Sequence, residues 1–399
     1  MSNAWLHIVG IGEDGMDGLL PATRTIVETA EVLIGGERHH ALTQDVSAER
    51  IAWPSPFDAL IETIKAQMGR RVVVLVTGDP LWNSAGARIA REIPASEIMF
   101  HPQLSAYQWA AARMVWSLAD CETLTIHGRT ETQIVSAFAP CARLLILTKD
   151  KTSPAAVAKL LIERGYGPSQ MTVLSALGGI NEQRFDGFAE SWSHDVPDFH
   201  TLAVECLAGP NAQILPRTGL PDACFINDGK LTKQAVRAVT LAKLAPHRGA
   251  VLWDVGAGSG AIGIEWMRAA PEAMAYGLEP RAERRAVAAQ NALALGAPKL
   301  ALIDGEAPAI FAGLPTPNAV FFGGGISIQA IELAMAALAP LGRLVANAVT
   351  LESEAVLLAA FANHKGSLQR ISVETADPVG PFYGWRPNMP VTQWHWVKA

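Results

Sequence analysis

The sequence predicts an α/β protein of two successive, different domains with mainly parallel sheets. Three observations predict it. Short apolar runs alternate with longer helical stretches along almost the whole chain, the pattern of strand–helix units whose strands are covered on both faces. The rhythm breaks over residues 208–226, where Pro and Gly cluster without any period. The chain has 399 residues, whereas domains typically hold about 100–200. The expected organisation is a first domain over 1–207, a linker over 208–226 and a second domain over 227–399. The halves share a glycine pattern but no repeat period, so they are read as unlike.

The elements follow in order. "WLHIVGIG" predicts a strand and "LLPATRTIVETA" a helix. "RVVVLVTGDP" is a continuous apolar run ending in Gly-Asp-Pro, as a buried parallel strand would. "SAYQWAAARMVWSLA" predicts a helix, "TLTIHG" and "RLLILTKD" strands, and "SPAAVAKLLIERGYG" a helix closed by glycine. Beyond residue 226, "TKQAVRAVTLAKL" predicts a helix with Thr232 as N-cap. "AVLWDVG" and "AYGLEP" predict strands, and "RAERRAVAAQNALALGA" a helix ended at Gly296. Strands follow at "LALIDG", "AVFFGGG" and "RLVANAV". The end, "SLQRISVETADPV" and "MPVTQWHWVKA", predicts two late strands.

Composition bounds the function classes. Hydrophobic residues make up 50% and charged residues 18%, which supplies large buried sheets and excludes disorder. A net charge of −6 argues against nucleic acid or an anionic membrane as partner. The four cysteines, Cys121, Cys141, Cys206 and Cys224, form no C-x-x-C pair and have no His at zinc-ligand spacing. They are read as buried thiols in a reducing compartment, with no metal site. The start has no basic segment followed by an apolar one, and apolar stretches such as "LAMAALAPLG" fall short of a membrane span. A soluble cytoplasmic protein is expected.

"VLWDVGAGSGAIGIEW", residues 251–266, carries two overlapping patterns. Gly258, Gly260 and Gly263 spell G-x-G-x-x-G, while Gly256, Gly258 and Gly260 spell G-x-G-x-G. A glycine turn between first strand and first helix lets a ligand approach the backbone. Both dinucleotides and S-adenosylmethionine are bound on such turns. Asp254 decides between them: a carboxylate at that strand end would repel a diphosphate but suits a ligand carrying an ammonium and a sulfonium. Glu279 ends the next strand, where a carboxylate accepts both ribose hydroxyls. A third acidic turn, "IDGEAP", closes the strand after it, so acids at three successive strand ends favour a cationic ligand.

With those residues in hand, "DGKLTKQAVRAVTLAKL…DVGAGSGAIGIEW…LEP…DGEAP…VFFGGG…ANAVTLE" resembles the class I precorrin methyltransferases that act on carbon-15 in cobalamin biosynthesis. The resemblance implies cofactor contacts at Thr232, Gly256, Ala257, Gly258, Ser259 and Gly260, at Glu279, and at Gly305, Glu306 and Ala307, with Glu306 standing where Asp is usual. Asp254 joins them on the electrostatic argument. Gly323 and Gly324 of "FFGGG" are expected on the substrate side. Lys233, Arg237 and Arg281 could meet substrate carboxylates or be ordinary surface charges.

The same G-x-G-x-x-G spelling at Gly10, Gly12 and Gly15 in "VGIGEDG" encloses Glu13 and Asp14, which would oppose a diphosphate. Together with "LVTGDPLWNSAG", "HPQLSAYQWAAARMVW" and "TIHGR", in that order, it is similar to the tetrapyrrole methylases, a fold of two α/β lobes. That resemblance implies cofactor contacts at Gly78, Asp79, Ser105 and Ala106. It puts Gly10 and Gly12 along the tetrapyrrole trough, in a loop altered from the usual Gly-Pro-Gly-Asp. His127 and Arg129 end a strand in the implied substrate cleft, where an Arg fork suits carboxylates. Trp82, Trp109 and Trp116 could line a flat macrocycle, but the spacing of the last two along a helix favours core packing.

Two methylase types fused in this order imply methylation of a precorrin at carbons 5 and 15 with loss of the ring C acetate carboxyl. S-adenosylmethionine is the implied cofactor and a homo-oligomer the implied assembly. The competing readings are an NAD-linked oxidoreductase and a non-catalytic tetrapyrrole-binding subunit.

Overall fold

Five short strands near the start of the chain form one parallel sheet. In the computed structural model, which describes residues 4–399, these are β1 (Leu6–Ile11), β2 (Val32–Gly35), β3 (Glu49–Ala52), β4 (Val72–Thr77) and β5 (Ile98–His101), in the order β3-β2-β4-β1-β5. β1 pairs in parallel with β4 from Leu6↔Val72 and with β5 from Leu6↔Ile98. Leu6, Ile8, Val72 and Val74 pack on one face with Leu60, Ile64 and Ile89. Val9, Ile11, Val73 and Leu75 pack on the other with Val27 and Leu33. Burial on both faces is why β4 reads as an unbroken apolar run.

The second lobe is a mixed sheet, not the mainly parallel one expected. β6 (Cys121–Thr125), β7 (Arg143–Leu147), β8 (Gln170–Ser175), β9 (Gln183–Phe188) and β10 (His200–Glu205) lie in the order β6-β7-β10-β8-β9. β10 runs antiparallel to both β7 and β8, and β8 to β9. β9 (QRFDGF) is half exposed and polar, so it carries little apolar signal.

Contacts divide the chain into two compact units, one running to Glu131 and resuming over Ala137–Gln213, the other comprising Thr132–Ser136 and Ile214–Ala399. The segment expected as linker therefore splits. Leu215, Leu220 and Phe225 are buried in the core of the second unit. The amides of Gly219 and Leu220 donate to the Glu265 carboxylate at 2.6 and 3.0 Å, and Asn291 both donates to and accepts from the Ile226 backbone. Pro and Gly signalled irregular backbone here, not detachment.

The second unit has a seven-stranded sheet. β11 (Val251–Val255), β12 (Met274–Leu278), β13 (Ala301–Ile303), β14 (Ala319–Phe322) and β15 (Arg343–Ala348) are parallel, and β16 (Ser367–Ile371) and β19 (Val391–Val397) complete the order β13-β12-β11-β14-β15-β19-β16. The end of the chain holds four strands rather than the expected two. β17 (Glu374–Val379) and β18 (Phe382–Pro387) form a separate hairpin turning at Gly380 (φ +58°) before β19 (Val391–Val397). Gly380 and Pro381 make the turn of this exposed hairpin, and Pro378 pairs with Tyr383 inside it.

Helix starts differ in detail from expectation. The helix Gln234–Leu244 is capped by Lys233, so Thr232 lies one residue before the cap. Trp116 falls beyond the helix Ala106–Met114, which ends at the left-handed Val115. Among the described residues no helix is long and apolar enough to cross a membrane.

Candidate functional site

The glycine loop between β11 and the helix Ala261–Ala269 builds the floor of the site. Gly256 (φ +75°) and Gly258 (φ +55°) adopt the left-handed backbone that side chains resist. A Cβ on Gly256 would lie 2.8 Å from the Gly324 nitrogen in the loop after β14, whereas one on Gly258 would meet only the Gly256 carbonyl oxygen, at 3.9 Å. The first glycine therefore lets two loops approach, and the second leaves room for a ligand. Gly263 permits close helix–strand packing, since a Cβ there would meet Leu300 at 2.9 Å and Ala275 at 3.4 Å.

Thr232, Asp254, Gly256–Ser259, Glu279, Gly305–Ala307 and Gly323–Gly324 line one cavity of about 940 Å³. Gly260 does not: it packs under Ala288 and Leu300 and shapes the turn. Asp254 is 1% exposed. Its Oδ2 accepts from the Gly263 N–H at 3.0 Å, so it also satisfies an amide in the first helical turn. Its Oδ1 has no hydrogen-bond partner. Burial pushes its carboxyl up to about 7, helped by the Glu279 charge and opposed by the Gly263 hydrogen bond. Glu279 accepts from the Gly258 N–H at 3.1 Å and the Arg281 N–H at 3.1 Å.

The third acid behaves differently. Asp304 is exposed and held by both guanidinium nitrogens of Arg285 at 2.9 and 2.8 Å, so its charge is offset and it does not line the cavity. Only Glu306 of that turn does. Acids at three strand ends thus reduce to Asp254, Glu279 and Glu306. Four cations, Lys230, Lys233, Arg281 and Arg284, also line the cavity. Arg237 belongs to neither expected class. It is fully buried, paired with Glu265 at 2.5 Å and Asp222 at 3.1 Å, and donates to the Thr232 and Leu220 carbonyls. It braces the segment beneath the site.

Asn347, Arg284 and Asn388 line the cavity without having been singled out in the sequence. Asn347 had a signal: it is the one amide inside the otherwise apolar "RLVANAV". Arg284 had none that separates it from the other arginines of its helix.

In the first unit, Gly78 (φ +63°) directly follows β4, and a Cβ there would lie 2.9 Å from the Ser105 Cα and 3.7 Å from the Ala106 nitrogen. The Gly-Asp-Pro turn and the start of the helix Ala106–Met114 are thus in contact. Asp79 Oδ1 accepts from the Leu81 N–H at 2.7 Å and closes its own turn. Ser105 donates its N–H to Gln108 Oε1 at 2.6 Å, while its buried Oγ has no partner.

Gly10 is a packing glycine: a Cβ would collide with the Gly78 carbonyl oxygen and meet Gln103. Gly12 leaves space for Asp14, whose Oδ1 would lie 2.6 Å from a Cβ there. The loop's other acid, Glu13, is paired with Arg38. Arg38 also donates to Thr77 Oγ1 at 2.6 Å and stacks over the Phe199 ring at 4.3 Å. Burial lowers this guanidinium to about 10. His127 and Arg129 are exposed in the turn after β6, with His127 Nδ1 3.3 Å from the Thr148 carbonyl. Trp109 and Trp116 pack on the second lobe's core, and Trp82 lies 5.3 Å from the Tyr107 ring.

Two family models match the chain, one in each half. The family model for tetrapyrrole (corrin/porphyrin) methylases matches residues 5–191, and that for the precorrin methyltransferase domain matches 223–398. A precorrin-6Y C(5,15)-methyltransferase (decarboxylating) from a Sinorhizobium species is 44% identical over 99% of this chain and 97% of its own length. The protein of that name from Mycobacterium tuberculosis is 38% identical over 98% and 99%. The crystal structure of the C-terminal domain of precorrin-6Y C5,15-methyltransferase from Rhodobacter capsulatus is 43% identical, covering 46% of this chain and 100% of that one with a TM-score of 0.44. The chain belongs to the family of decarboxylating precorrin-6Y C(5,15)-methyltransferases.

Proposed function

We propose that the second unit binds S-adenosylmethionine in the cavity, methylates carbon-15 of a precorrin and removes the ring C acetate carboxyl, and that the first unit methylates carbon-5. The observation that carries this is the division of charge around the cavity. Asp254, with an unpartnered buried Oδ1, lies at the glycine loop beside Glu279, which Arg281 and Arg284 approach at 3.8 and 3.9 Å, whereas Lys230 and Lys233 supply the further cations to the same cavity. The first set suits a cationic nucleoside and the second a polycarboxylate.

The residues present fit the cofactor. Asp254 Oδ1 and Glu306 would meet its charged end, Glu279 its ribose, and the backbone of Gly256–Ser259 its flank. When bound, S-adenosylmethionine supplies an electrophilic methyl and loses its positive charge as that methyl leaves. The chain's part is alignment and electrostatics, because the electron-rich macrocycle is itself the nucleophile. Decarboxylation breaks the acetate C–C bond, passing its electron pair to the macrocycle as carbon dioxide leaves. In the first unit, Gly78, Asp79, Ser105 and Ala106 are the proposed cofactor contacts. Gly12, His127 and Arg129 are kept for the substrate, with Gly10 behind them.

A cytoplasmic enzyme is part of the reading; among the described residues the cysteines form no disulfide, although only Cys206 is fully buried and Cys141 is exposed, against the expectation of four buried thiols. A homo-oligomer is part of the reading, because Val379, Phe382, Tyr383 and Trp385 expose apolar surface that association would cover. The test is full-length protein with S-adenosylmethionine and precorrin-6B, read by mass spectrometry. Two methyl groups gained and one carbon dioxide lost support the proposal. No methyl transfer overturns it in favour of a tetrapyrrole-binding subunit, and calorimetric preference for NAD over S-adenosylhomocysteine overturns it in favour of an oxidoreductase.

A further inference from the structure

Beneath the cavity lies a buried polar cluster that the cofactor contacts do not use. Thr240 and Gln393 are fully buried, and Asn347 is half-buried at the cavity wall. Burying polar groups is costly unless every one is hydrogen-bonded, so the bonding pattern is informative. Thr240 Oγ1 spends its single proton on the Val236 carbonyl at 2.8 Å. It can then only accept, and it does so from Asn347 Nδ2 at 3.0 Å and Gln393 Nε2 at 3.1 Å. The second Gln393 N–H goes to Asn347 Oδ1 at 2.9 Å, and Gln393 Oε1 accepts from Gln369 at 2.9 Å.

One hydroxyl proton therefore fixes the orientation of both amides. Asn347 is left with one N–H that no described residue accepts. In β14 and β15 Phe322 pairs with Ala346, so the next residues, Gly323 and Asn347, stand side by side at the strand ends. Lys233 lines the same cavity at the start of the helix that carries Val236 and Thr240.

We infer that Asn347 is a substrate-positioning residue of the carbon-15 site, whose remaining N–H donates to a carboxylate oxygen of the macrocycle. This rests on the function proposed above and adds to it the residue that orients the substrate. Thr240 and Gln393 act through Asn347 as positioning residues. They hold its donor outward, where a free side chain could turn its carbonyl outward instead.

The experiment uses the full chain and measures carbon-15 methylation, S-adenosylhomocysteine affinity by calorimetry, and thermal midpoint. Asn347→Ala is expected to lower kcat/KM for precorrin-6B by roughly ten- to hundredfold, the range of a hydrogen bond to a charged group. Asn347→Asp, which turns the donor into a charged acceptor, is expected to lose more. S-adenosylhomocysteine affinity stays within about twofold in both, as the cofactor contacts are elsewhere. Adding Gln393→Ala to Asn347→Ala costs no further kcat/KM, because its effect passes through the missing amide. An unchanged kcat/KM in Asn347→Ala overturns the assignment while the proposed function stands. So does a loss matched by equal losses in cofactor affinity and thermal midpoint. If the wild-type chain transfers no methyl, the function falls and the assignment with it.

Discussion

Asp254 Oδ2 accepts the Gly263 N–H at 3.0 Å while Oδ1 stays without a partner. One carboxylate thus closes the turn between β11 and its helix and also faces the ligand space. These duties separate on substitution. Asparagine keeps the acceptor for Gly263 but removes the charge. Asp254→Asn is therefore expected to hold or raise the thermal midpoint at pH 8, where the wild type carries a buried anion. It is also expected to weaken S-adenosylmethionine binding by at least tenfold. Calorimetry and thermal unfolding on one preparation check both; unchanged affinity would remove the electrostatic role.

The same carboxyl predicts a pH dependence. Its folded value is raised from 3.8 to about 7, so between those values the folded protein binds more protons than the unfolded chain. This group's contribution to stability therefore falls as pH rises from about 4 to 7. Binding has the opposite sign. A cationic ligand favours the ionised form, so affinity for S-adenosylmethionine should increase from pH 6 to pH 8 with proton release. The pH slope should be absent in Asp254→Asn, as calorimetry in buffers of different ionisation enthalpy will show.

The glycines give a graded test. Gly256→Ala meets both a left-handed φ and a backbone nitrogen at 2.8 Å, while Gly249→Ala has a similar φ of +71° but nothing within 4 Å. Gly249→Ala should cost about 1 kcal/mol from conformation alone. Gly256→Ala should cost more and abolish cofactor binding, because the Gly324 loop must move. Urea midpoints together with calorimetry separate the two.

Much of this was legible in the sequence, for identifiable reasons. The strands and helices around the glycine loop were, because apolar runs buried on both faces leave an unambiguous signal. Asp254, Glu279, Gly256 and Gly258 were singled out together because chemistry restricts what can stand at those strand ends, and they line one cavity. Side-chain direction was not. Asp304 and Glu306 are two residues apart, yet one is neutralised by Arg285 and the other lines the cavity. Arg237 looked like a surface charge from its helix alone, since Glu265 lies twenty-eight residues away in sequence. Asn347 depends on Gln393, forty-six residues further on. Sheet register sets Asn347 against Gln393, and helix packing sets Arg237 against Glu265; local pattern encodes neither.

In the first unit, Arg38 joins the loop containing Glu13 to Thr77 at the end of β4 and to Phe199 of the second lobe. Arg38 and Glu13 are only half-buried, so removing one partner should cost less than the about 3–5 kcal/mol of a fully buried pair, and removing both less still. Arg38→Met should therefore lower the urea midpoint and disturb the loop beside the Gly-Asp-Pro turn. Carbon-5 methylation should fall with it, while carbon-15 methylation in the same molecule persists. Arg38→Met combined with Glu13→Gln should recover most of the midpoint. If activity recovers too, the pair is a scaffold for the loop; if stability returns without carbon-5 methylation, the guanidinium itself serves the reaction. Equal loss of both methylations in Arg38→Met would contradict the assignment of carbon-5 chemistry to this unit.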